Sequence, residues 1–142
     1  METWQLTSWP TVDIILRLLI ATFLGAAMGY ERERADKPAG LRTNILVCVG
    51  AALITAVSKN GFSDSFDPSR VAAGIVVGIG FLGAGTIIRH ETKVVGLTTA
   101  ATIWVVAGIG LAIGCGLYVP GLVTAVIGFL VLRLPRYKSD HD

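Results

Sequence analysis

Charge is what this sequence is short of. Asp, Glu, Lys and Arg make up 15% of 142 residues while apolar types reach 53%, against roughly a quarter charged in a soluble domain, and mean hydropathy is +0.67. That shortage excludes an ordinary water-soluble domain, and the wealth of aliphatics excludes a disordered chain. Cysteine is nearly as scarce: Cys48 and Cys115 sit in apolar sequence, without CxxC spacing or a neighbouring histidine. They give neither a disulfide framework nor a zinc site and read as small buried thiols. The two histidines, His90 and His141, have no HExxH or Ser and Asp arrangement around them, and no GxxxxGK[ST] run occurs. His90, beside Glu91, reads as a solvated loop residue, and the chain reads as a non-enzyme with no cofactor.

What is abundant is long apolar runs. Five candidate spans cover about 12–30, 41–57, 71–88, 98–113 and 117–134, and a helix of about 19 residues reaches roughly 28 Å, enough to cross a bilayer. Asp67 with Pro68 reads as the cap of the third span, Thr98 as the cap of the fourth, and Pro120 fits the first turn of the fifth. Residues 1–11 carry Trp4, Trp9 and Pro10 but no Lys or Arg, which suits an interfacial lead, and the positive charges follow the first run, so it is expected to stay as an anchor and not be cleaved. Nine Lys and Arg fall after the first, third and fifth spans, and two (Lys59, Arg70) on the other side. The expectation is an all-α, polytopic bundle of about five transmembrane helices, residues 1–142 forming one domain, N-terminus out and C-terminus in. Because topology accounts for the basic residues, nucleic acid is not expected as a partner.

The remaining charge clusters in Gly29 to Thr43, GYERERADKPAGLRT. Glu31, Glu33 and Asp36 are candidate magnesium ligands at the cytoplasmic mouth, with Asp13 or Asp67 on the far side. The interleaved Arg32, Arg34, Lys37 and Arg42 favour a salt-bridge network instead, with Arg42 pairing to Glu31 or Glu33. Within the first span, Asp13, Arg17, Ala21, Gly25 and Gly29 form one i, i+4 ridge, which is expected to face inward with Arg17 paired to Asp13. Five glycines, Gly74, Gly78, Gly80, Gly83 and Gly85, crowd the third span. Close packing through Gly74 and Gly78 is the preferred reason, a broken helix at Gly80 to Gly85 lining a solute site the alternative. Trp104, mid-span, reads as a packing residue, and Asn44 is a further position for mutation. A shift of 56 residues lays Gly29 on Gly85, Lys37 on Lys93, Gly40 on Gly96 and Leu41 on Leu97, a weak sign of a duplicated helix, loop and helix unit.

Four motifs in order carry a family resemblance. They are Gly29 to Thr43, which includes Gly29, Glu31, Arg32, Glu33, Lys37, Gly40, Leu41, Arg42 and Thr43; Asp67 and Arg70, leading into Val71, Ala72 and Ala73; the run GIGFLGAG with Gly78, Gly80, Phe81, Gly83 and Gly85; and GLTTAA with Gly96, Thr98 and Thr99, followed by Trp104. On these the chain resembles the MgtC/SapB family of bacterial inner-membrane proteins from the first span to the fifth. The resemblance implies a five-helix membrane domain linked to magnesium limitation and, in pathogens, to survival inside host cells. It also implies a regulator or accessory protein acting on other membrane machinery, including the proton-driven ATP synthase, more than a magnesium carrier. The sequence stops just after the fifth span, so the soluble C-terminal domain of longer members is expected to be missing. Two readings follow: a non-enzymatic regulator docking through glycine-lined faces, including Gly110 and Gly114, with a homo-oligomer as the alternative assembly; or a small cation carrier or sensor.

Overall fold

The computed structural model describes residues 9–60 and 67–135. Among them the order is α1 (Trp9–Arg34), α2 (Leu41–Asn60), α3 (Pro68–Gly85), β1 (Ile88–His90), β2 (Lys93–Val95), α4 (Leu97–Cys115) and α5 (Tyr118–Leu132). The interfacial lead expected over 1–11 and the tail with His141 lie largely or wholly outside the described residues. Helices α1, α2 and α4 are long and apolar enough to cross a membrane, while α3 and α5 are shorter.

Helix α4 is the central element, because it packs against α1, α2, α3 and α5. Its neighbours approach through small residues. A Cβ added to Gly110 would lie 2.2 Å from the Cys48 carbonyl oxygen, and one on Gly114 would lie 2.6 Å from that of Ala52. The α1–α2 contact is built alike, since a Cβ on Gly25 would stand 2.8 Å from the Asn44 carbonyl oxygen and one on Gly29 2.7 Å from the Leu41 Cα. Lipid tails are as apolar as leucine, so membrane helices associate through close van der Waals fit, and glycine permits the shortest approach. The core is accordingly thin, with Ala21, Met28, Cys48, Ala52, Val106 and Ile113 at its centre. Bulky side chains such as Phe23 and Val77 point outward, as they should toward hydrocarbon.

The inward ridge of α1 forms as expected: Ala21, Gly25 and Gly29 are buried, and Arg17 pairs with Asp13 at 2.5 Å. Arg17 also donates to the Gly114 carbonyl at 2.6 Å, and Lys59 donates to that of Cys115 at 3.1 Å. Two cations therefore cover the carbonyl end of α4, where the helix dipole favours them.

Asp67 caps α3 as expected, its carboxylate accepting from the Ser69 amide at 2.9 Å, and that bond holds the carboxyl below its ordinary range. A depressed carboxyl contributes stability above the unfolded value, near 3.9, and loses it as pH falls through the folded value. Protection of the Ser69 amide, taken relative to its intrinsic exchange rate at each pH, is therefore expected to fall in acid in the native chain and to stay constant across the same range in Asp67→Asn, whose amide oxygen caps without titrating.

Four expectations are corrected. The third span does not reach residue 88: helix α3 ends at Gly85, and a short antiparallel hairpin follows with Ile88 opposite Val95 and His90 opposite Lys93, an addition to an otherwise helical bundle. Thr98 does not cap α4, because the helix begins one residue earlier behind Gly96, whose φ of 95° is open to glycine. Nor does α3 pack through Gly74 and Gly78, where an added Cβ would meet nothing within 4 Å; it is also helical through Gly85, which removes the discontinuous-helix alternative. Trp104 is 55% exposed, and its covered part lines a small cavity with Ile75, Val76 and Ile79 of α3.

Candidate functional site

At about 1.5 Å per residue the 26 residues of α1 span about 39 Å, some 9 Å more than a bilayer's hydrocarbon core. The last turn, Glu31 to Arg34, takes up about 6 Å of that surplus, so the charged cluster begins on a helix and not in a loop. Successive residues of a helix are rotated by about 100°, and here three consecutive side chains reach three different neighbours. Glu31 turns to the end of α5 and pairs with Arg133 at 3.3 Å, the guanidinium of which lies 4.4 Å over the Phe129 ring. Arg32 is buried and donates to the Thr99 hydroxyl on α4. Glu33 reaches forward to accept from the Leu41 amide at 2.8 Å, capping α2.

The connector is shaped to suit. Asp36 and Ala39 have φ of 52° and 56°, and Asn44, fully buried, donates to the carbonyls of Ala39 and Gly40 at 2.6 and 2.9 Å. A Cβ on Gly40 would come 2.8 Å from the capping Glu33 oxygen, so a larger residue there would push that side chain off its bond to the Leu41 amide. The other connector is held by a second glycine: a Cβ on Gly96 would collide with the Thr86 carbonyl. Between these two connectors lies a cavity of about 610 Å³, lined on one side by Arg32, Asp36, Lys37, Thr98 and Thr99 and on the other by Ile88, Val94 and Val95.

The expected residues thus divide into three places. Gly29, Glu31, Arg32, Glu33, Lys37, Gly40, Leu41, Gly96, Thr98 and Thr99 gather at this end. Asp67 and Arg70 lie at the opposite end, where α3 starts. Gly78, Gly80, Phe81 and Trp104 are exposed along the bundle, and a Cβ added to Gly83 would meet that of Ala100 at an ordinary 3.5 Å. The pairing of Arg42 with Glu31 or Glu33 does not form: Arg42 and Thr43 are exposed, and the two acids are engaged by Arg133 and the Leu41 amide. Glu31, Glu33 and Asp36 are likewise not gathered, and among the described residues no group of three His, Cys, Asp or Glu could hold a metal ion. Gly110 and Gly114, expected on a docking face, are spent on the α2–α4 contact. Cys48 is buried and Cys115 half-buried, both as free thiols. Sequence reasoning counted Arg133 only toward topology; nothing local marks it as the partner of Glu31, because the pair is 102 residues apart.

A second feature lies along the bundle. The glycines that α3 leaves open form, with α2, an apolar groove of about 560 Å³, floored by Gly50, Gly74 and Gly78 and walled by Leu46, Ile54 and Leu82.

The family model for the MgtC family matches residues 18–139. YhiD of Escherichia coli (strain K12), whose name proposes magnesium transport, is 47% identical over 131 residues, covering 87% of this chain and 61% of its own length. Protein SapB of Bacillus subtilis is 46% identical over 123 residues, covering 80% and 53%, and Protein MgtC of Salmonella typhimurium 50% identical over 113 residues, covering 80% and 48%. This chain therefore spans about half to three fifths of the length of these relatives. No solved structure matches it.

Proposed function

The chain belongs to the MgtC family, and from that membership we propose that it is a magnesium-linked, non-enzymatic accessory protein of the bacterial inner membrane. It acts by seating a transmembrane helix of a partner complex in the α2–α3 groove. The observation that carries this reading is the bare face of α3. Gly74, Gly78, Gly80 and Gly85 each leave open the space where a Cβ would stand, although each costs helix stability by about 1 kcal/mol. Small residues on an outward membrane face permit close approach of another helix, and among the described residues no helix of this chain uses them. The proton-driven ATP synthase is the partner that the family resemblance suggests. In this reading the end bearing Glu31 to Arg34 faces the cytoplasm, following the excess of Lys and Arg there.

Leucines at Gly74 and Gly78 test it by filling the groove from its floor. The double variant is expected to accumulate in membranes and melt like the native chain, while recovery of ATP synthase subunits with it in mild detergent falls at least tenfold. Recovery that does not change, or a native chain that brings down only itself, overturns the docking reading and leaves a homo-oligomer. Magnesium flux in proteoliposomes that vanishes in Glu31→Gln would establish a carrier instead. The engagement of Glu31 and Glu33 with protein groups supports the first reading over that one.

A further inference from the structure

The groove does not account for the cavity between the two connectors, whose lining has a different chemistry. We propose that this cavity binds a phosphate group, held between Arg32 and Lys37 against the first turn of α4. Arg32 is 6% exposed, an unusual depth for a guanidinium, and it is fixed there by its bond to Thr99. Lys37 is half-buried on the same wall, and the hydroxyls of Thr98 and Thr99 add neutral donors. One acid, Asp36, stands among them, so two bases face one carboxylate and the lining keeps a positive balance. A magnesium ion wants oxygen ligands and would meet two cations; an oxyanion meets the donors of Arg32, Lys37, Thr98 and Thr99 beside the one carboxylate of Asp36.

The backbone contributes in the same sense. Helix α4 runs for 19 residues, and its cap is a glycine that makes no side-chain bond to the first turn, so the amides there are left for another acceptor. The dipole of the helix favours negative charge at that end. Opposite stands an apolar wall of Ile88, Val94 and Val95 from the hairpin, all exposed. A phosphate flanked by hydrocarbon describes a phospholipid headgroup with the start of its acyl chains, and a free phosphate would use the polar wall alone.

The full chain, purified in mild detergent, separates these sources by native mass spectrometry. Its probes are dioleoyl phosphatidylglycerol, the matching dioleoylglycerol that lacks phosphate, and inorganic phosphate. The expected result is one retained copy of phosphatidylglycerol, with Lys37→Gln and Thr98→Val each weakening it about tenfold. Inorganic phosphate binding with the same sensitivity to Lys37→Gln would support the site with a soluble source. Lys37 decides the matter because it is only half-buried, whereas Arg32→Gln also removes a contact between α1 and α4. Equal retention of dioleoylglycerol, retention of neither phosphate-bearing probe, or wild-type binding by Lys37→Gln overturns the proposal.

Discussion

Gly110→Ala is expected to lower the stability of the folded chain by about 3 kcal/mol, the upper end of the usual cost of overpacking a core. The new methyl carbon would sit 2.2 Å from the Cys48 carbonyl oxygen and 3.0 Å from the Ala51 Cβ. The first of these is backbone, which cannot swing aside, so α2 and α4 must separate. Gly108→Ala is the matched control, two residues away on the same helix with nothing within 4 Å. Both substitutions gain helix propensity by about 1 kcal/mol, and only one collides, so the difference between them isolates the contact. Midpoints of unfolding in detergent, with accumulation in membranes, provide the measurement, and equal midpoints would mean that the two helices do not approach this closely.

Arg17→Leu is expected to cost about 2 kcal/mol. The substitution takes the donor from the Gly114 carbonyl and the counter-charge from Asp13. A hydrogen bond to a charged group is worth roughly 1.5–3 kcal/mol, and an ion that loses its counter-charge near hydrocarbon costs about as much, although Asp13 keeps the Tyr118 hydroxyl, which donates to it at 3.3 Å. The Asp13 side chain is 44% exposed, so water softens the second contribution and the lower figure is the one expected. Adding Asp13→Asn to Arg17→Leu is expected to recover about 1 kcal/mol, because it removes the stranded charge. A double variant less stable than the single one would show that Asp13 serves some role other than balancing Arg17. Lys59 still covers Cys115 in both, which keeps the end of α4 from losing both of its cations.

Much of this was legible because hydrocarbon simplifies the problem. A run of apolar residues in so uncharged a chain has few outcomes, and the i, i+4 spacing of Asp13, Arg17, Ala21, Gly25 and Gly29 shows which face of α1 turns inward. The five helices, the Asp67 cap and the buried ridge follow from such local patterns. The starts of α2 and α4, at Leu41 and Leu97, also stand 56 residues apart, the shift suggested by the repeat, although the two connectors are built differently.

What the sequence hid depends on contacts between distant segments. The glycines at 25, 29, 110 and 114 and those at 74, 78, 80 and 85 look alike on paper, yet the first set is pressed against neighbouring backbone and the second is bare. Nothing in a glycine says which helix lies opposite. The pairing of Arg42 with Glu31 or Glu33 fails for a related reason: a charged stretch suggests pairs within itself, whereas on a helix each residue faces a different direction. Extending α1 by a single turn converts a presumed loop network into three separate links to α5, α4 and α2. The hairpin was missed because its strands are three residues long, too short for alternation to register.

The link from Glu33 to the Leu41 amide closes a segment only eight residues long, so its entropic cost is small. It becomes available as soon as the ribosome has delivered the start of α2, before any of α3 exists. The first two helices thus have the means to enter the bilayer as a clasped pair, presenting Gly110 and Gly114 with a finished template when α4 arrives. A lesion at Glu33 or Gly40 would then act on insertion during synthesis, and its mark would be a lower yield of integrated chain with little change in the chains that succeed.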